Sequence, residues 1–151
     1  MKRIISPHRL RPLIIALMLC LSAFPLAAQR GLSIAPLFRA DYSSDDKVVE
    51  VYVEGKELKP YKLTRFRSLT FTDKPAAIAR MEELVRADAA RATEKSMALV
   101  GGKLSYGYFR FEMPEGNRYI FFRSRGGNKP EATLVYMEGS ASMEETKAMF
   151  R

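Results

Sequence analysis

The chain has 151 residues and a formal net charge of +8, from 25 Lys and Arg against 17 Asp and Glu, with one Cys, one His and no Trp. That length supports one hydrophobic core, and a single cysteine excludes an internal disulfide. Cys20 and His8 both precede residue 29, so the remainder excludes the usual zinc, haem and copper sites and any Ser-His-Asp or Cys-His nucleophile.

The first 28 residues read as a secretory signal peptide. Lys2, Arg3, Arg9 and Arg11 form a basic start, Leu13 to Leu21 and Ser22 to Leu26 an apolar stretch, and Ala27-Ala28 before Gln29 a small-residue cleavage site. The apolar run of about 14 residues, interrupted by Pro25, is too short for a bilayer span of about 20. Cys20 invites an alternative, an acylated lipoprotein cysteine, but Leu19 stands where that pattern wants a small residue. Cleavage near Ala28 removes four of the 25 basic residues and no acid, leaving 21 against 17, or +4. Much of the positive charge therefore belongs to targeting.

Residues 29–46 read as an N-terminal segment and polar linker, and residues 47–151 as a single α+β domain. Leu32, Ile34, Leu37 and Phe38 suit a short helix limited by Pro36. The acidic stretch Asp41, Asp45 and Asp46 lacks the spacing of a calcium loop and reads as linker. Lys47 to Glu54 alternates, with Val49, Val51 and Val53 on one side, which predicts a half-buried strand. A second strand is expected over Leu63 to Phe71, after an interruption at Lys59-Pro60.

Asp73-Lys74-Pro75 predicts a helix start capped by Asp73. Ile78, Met81, Leu84, Val85, Ala89 and Ala92 recur at three and four, so the main helix is expected from Pro75 to Leu99, closed by Gly101-Gly102. The neighbouring acids Glu82-Glu83 and Glu144-Glu145 read as solvated helix faces, because consecutive helix positions do not face each other. Strands are expected over Leu104 to Met113, Arg118 to Arg125 and Glu131 to Glu138, with loops at Pro114–Asn117 and Gly126–Pro130. Ser142-Met-Glu-Glu145 fits a capping box opening a short terminal helix.

Tyr106-Gly-Tyr-Phe-Arg-Phe111 fits most of the aromatic signature with which RNA-recognition motifs stack bases, and Val51 to Gly55 resembles its partner strand. That family needs a helix after each signature strand. Here strands follow both, and Leu104-Ser105 replaces the expected basic residue and Gly. No nucleic-acid partner is therefore expected. Read as a strand, the segment turns Gly107, Phe109 and Phe111 one way, beside Ile120 and Phe122. Tyr106, Tyr108, Arg110, Tyr119, Arg123 and Arg125 then occupy the other face, where Tyr and Arg together favour binding. The competing reading pairs these arginines with Glu50 and Glu54 across a solvent-facing sheet.

Val51-Tyr-Val-Glu-Gly-Lys-Glu-Leu58, Phe66-Arg-Ser-Leu69, Leu84-Val-Arg-Ala-Asp-Ala89 and Leu134-Val-Tyr-Met-Glu-Gly139 together resemble a family of small exported Bacteroidota proteins of unknown function. The likeness covers most of residues 31–151 and carries no catalytic residues. It implies a cell-envelope protein, periplasmic or at the outer-membrane surface. The expected architecture is an antiparallel sheet of about four or five strands with one long helix on one face and short helices near both ends. The expected function is non-enzymatic binding of an envelope protein or glycan, through the sheet's free face or an exposed edge strand, with no cofactor or metal. The alternatives are a carboxylate-based enzyme acting on glycans and a homodimeric structural protein.

Overall fold

A computed structural model describes residues 31–150. The signal segment, the cleavage point and Cys20 lie outside the described residues. The chain divides after Leu32, and the unit that begins at Ser33 holds the elements of the fold. Its elements are a 3-10 turn at Ala35–Phe38, β1 (Val48–Glu54), a 3-10 turn at Lys56–Tyr61, β2 (Leu63–Thr72), α1 (Pro75–Ala89), β3 (Glu94–Val100), β4 (Lys103–Met113), β5 (Gly116–Arg125), β6 (Glu131–Gly139) and α2 (Met143–Ala148).

The six strands form one antiparallel sheet in the order β1-β2-β6-β5-β4-β3. Among the described residues the fold is therefore mostly β, with one sizeable helix. Tyr119, Ile120, Phe121 and Phe122 are four consecutive buried residues of β5. Successive strand side chains point to opposite faces, so such a run requires both faces to be covered at the centre of the sheet. On one face lie Leu69, Phe71, Phe109, Ile120, Phe122 and Leu134. The other carries Tyr108, Tyr119, Phe121, Val135 and Met137. Each large apolar side chain so buried contributes about 1.5–3 kcal/mol relative to exposure.

The long helix is shorter than its periodicity predicts. α1 ends at Ala89, and Glu94–Val100 forms a sixth strand paired with β4. Gly101 (φ +57°) and Gly102 (φ +77°) sit between the paired Val100 and Lys103. Two consecutive positive φ values at the centre of a two-residue loop are the requirement of a type I′ hairpin, so these glycines turn a ribbon and do not cap a helix. Asp73 also departs from expectation. It has φ +54°, α1 has no side-chain cap, and its carboxylate binds Lys47 Nζ at 3.0 Å. The Ser142–Glu145 capping box is present in full.

Three buried side chains of α1 are Met81, Val85 and Ala89. Glu82 Oε1 accepts from the Leu104 amide at 2.7 Å, and Arg86 donates to the Gly102 carbonyl at 2.6 Å. Both bonds tie α1 to the β3–β4 hairpin. Glu82 is thus a positioning group and not part of a solvated face. The acidic stretch forms turns in which Asp41 accepts from the Ser43 amide and Asp45 from the Lys47 amide and Lys74 Nζ.

Candidate functional site

Cross-strand pairing places Tyr106 opposite Arg123, Tyr108 opposite Phe121 and Arg110 opposite Tyr119. Five of the six expected site residues therefore share one face of β4 and β5, as alternation predicts. Arg125 lies at the end of β5, with Nη2 3.7 Å from Glu131. The face is nevertheless not free. Tyr108 and Tyr119 are fully buried, beneath a cover formed by the C-terminal segment with Met143, Met149 and Phe150. The Phe121 and Phe150 rings stack at 4.5 Å, and Lys147 Nζ lies 5.7 Å from the Tyr108 ring centre.

Tyr119 donates its hydroxyl hydrogen bond to the Ala141 carbonyl, whereas the buried Tyr108 hydroxyl makes no hydrogen bond of good geometry, with the Thr146 hydroxyl near it already donating to the Ser142 and Met143 carbonyls. Burial raises the pKa of both phenols because it disfavours the phenolate. Arg110 binds Glu94 at 3.1 Å, Glu112 at 3.2 Å and Asn117 Oδ1 at 3.0 Å. These pairs use its donors and hold the Glu94 carboxyl below its ordinary value. Arg123 and Arg125 stay exposed. The broad Tyr/Arg binding face is thereby reduced to its arginine margin. Glu50 and Glu54 are paired on the opposite face by Arg67 at 3.1 Å and Arg65 at 3.3 Å, and not by the six residues.

Sequence reasoning missed Asp88. Fully buried, it accepts from the Ser33 amide at 2.7 Å, the Ile34 amide at 3.0 Å and Arg91 at 2.6 Å, clasping the segment before β1 to α1. A second missed feature is a cavity of about 680 Å³ beside the β4–β5 turn. It mixes Lys59, Lys62 and Arg118 with Glu115 and Glu138. Glu138 is already engaged by Arg65 at 3.3 Å and the Tyr136 hydroxyl at 2.5 Å, so the lining does not present two free carboxylates to a substrate. No group of residues is arranged to hold a metal ion, and no helix is long and apolar enough to cross a membrane, among the described residues.

The two sheet edges differ in chemistry. Charged side chains commonly blunt an edge against pairing with another chain. β1 carries Glu50 and Glu54, paired to β2 arginines. β3 has Glu94 and Lys95 at its start, then no charge from Ser96 to Val100. Within that run Met97 is 46%, Leu99 51% and Val100 69% exposed. β3 ends the strand order, so its outer side has no strand partner among the described residues. β1 also exposes Val49, Val51 and Tyr52, but they alternate with its paired glutamates, whereas the last five residues of β3 form an unbroken uncharged run on an open edge.

Against protein families, a model described as a family of unknown function (DUF6108) matches residues 21–150. No curated protein and no solved structure matches.

Proposed function

We propose, from the premise that this chain belongs to the DUF6108 family of unknown function, that it is an exported, non-enzymatic binding domain of the cell envelope and that it receives its partner along β3. The basic, apolar and small-residue succession of residues 1–28 supports export. The carrying observation is the uncharged run Ser96–Val100 on the sheet edge, exposed from Met97 onward. An added strand would take the free main-chain groups, while Met97 and Leu99 on one face and Val100 on the other supply side-chain contacts.

This reading moves binding from the Tyr/Arg face to the edge, because Tyr108 and Tyr119 are buried. It also takes α1 as the cover of the opposite face, supported by buried Met81 and Val85 and by the Glu82–Leu104 bond. The helix then braces the hairpin that presents β3.

Chemical crosslinking of the protein in the cells that export it tests the assignment. Leu99→Lys should abolish the crosslinked species, while Arg123→Glu should leave them. The reverse pattern would return binding to the arginine margin and refute the edge.

A further inference from the structure

We infer that the strand added at β3 belongs to a second copy of this chain, paired antiparallel about a twofold axis at Ala98. The inference rests on the edge reading and names its occupant.

The backbone sets the register. Ser105 Oγ donates to the Ala98 carbonyl at 3.2 Å, so that carbonyl turns inward to β4; the register shift between Ala98 and Leu99 places its extra residue on β4, between Leu104 and Tyr106, and leaves β3 without one. Successive residues of a strand direct these groups to alternate sides, which leaves those of Met97 and Leu99 pointing outward. A twofold axis through the strand pair, perpendicular to the sheet, keeps corresponding faces together, so residues of like parity must oppose each other.

Centring on Ala98 meets both requirements. Met97 then exchanges main-chain bonds with Leu99 of the second copy, and Leu99 with its Met97. These exposed side chains oppose each other, Ser96 faces Val100, and Lys95 faces Gly101. A slip of two residues one way would set Lys95 against Leu99, and a slip the other way would set it against Lys103. The two-residue slips match the free hydrogen-bonding groups equally well, but only the Ala98 centre pairs the uncharged stretch Ser96–Val100 wholly with itself and keeps Lys95 from facing Leu99 or Lys103. Ala98 would form a non-hydrogen-bonded pair with its counterpart at a Cα separation of about 4.5 Å, within the range a disulfide spans.

Cys20 is the sole cysteine, so a Cys20→Ser chain gives a clean background. In it, Ala98→Cys and, on the opposite edge, Val49→Cys are purified from exporting cells and mildly oxidised, beside sedimentation of the wild type and Leu99→Lys. Circular dichroism confirms that each variant is folded. The wild type should sediment at twice its chain mass and Leu99→Lys at one. Ala98→Cys should form a disulfide-linked dimer roughly tenfold faster than Val49→Cys, or more, because pairing raises the local thiol concentration.

A monomeric wild type whose Ala98→Cys variant oxidises no faster than Val49→Cys overturns the second copy. If Leu99-dependent crosslinks to a different protein persist in cells, only the occupant falls. If those crosslinks are missing as well, the edge reading falls with it.

Discussion

Asp88→Ala should be among the most damaging substitutions outside the apolar core. The carboxylate is fully buried and receives the Ser33 amide at 2.7 Å and the Ile34 amide at 3.0 Å. Truncation removes the acceptor of both main-chain N–H groups, one of them buried, and a buried donor without a partner costs about 1–3 kcal/mol. The loss should total about 3 kcal/mol, a large part of the roughly 5–15 kcal/mol that stabilises a domain. Arg91 contributes less, since its side chain is 41% exposed, and Arg91→Ala should cost under about 1 kcal/mol. Urea denaturation of both variants measures the difference, provided the slope stays that of the wild type. A loss within about 0.5 kcal/mol for Asp88→Ala would refute the clasp, because that is the range of ordinary surface substitutions.

Gly107→Ala would bring its Cβ to 2.6 and 2.7 Å from ring carbons of the fully buried Phe109, and the forced shift should lower stability by about 1–3 kcal/mol in the same assay. Ser142→Ala removes the capping box and should cost about 1 kcal/mol, with the exposure of Tyr108 and Tyr119 read from tyrosine fluorescence. Tyr108→Phe removes a buried hydroxyl that makes no hydrogen bond of good geometry, so stability at neutral pH should hold or rise by about 1 kcal/mol. Burial raises the Tyr108 pKa in the folded state. Its contribution is therefore complete below the unfolded phenol value of about 10 and is lost as pH rises through the folded value. Denaturation measured between neutral and alkaline pH should show a shallower decline for Tyr108→Phe than for the wild type. An equal decline would remove Tyr108 from the explanation.

Five of the six strands were legible, β1 from its alternation, β2 from a mixed apolar pattern and β4 to β6 from the turn residues between them, and alternation placed Tyr106, Tyr108, Arg110, Tyr119 and Arg123 on one face. What alternation does not state is which element covers a face. Met143, Met149 and Phe150 supply part of that cover, and their number is too small for periodicity to reveal the direction in which they fold back. The third strand was hidden for a different reason. Glu94 to Leu99 contains Lys, Ser, Met, Ala and Leu, which continue a helical pattern as readily as they form an edge strand. Gly101-Gly102 held the distinguishing signal, since adjacent glycines suit a two-residue hairpin better than a single left-handed cap. Missing that turn also hid the edge it creates. Asp88 was illegible because its partners are main-chain amides more than 50 residues away, and a main-chain amide leaves no trace in residue identity.

Site-specific photocrosslinking in exporting cells tests the central claim most directly, with a photoreactive side chain placed in turn at Met97, Val49 and Arg123. The edge account predicts strong adducts from Met97 and background levels from Val49 and Arg123. Adducts from Arg123 with none from Met97 would contradict it and place the partner on the arginine margin of the opposite, largely covered face.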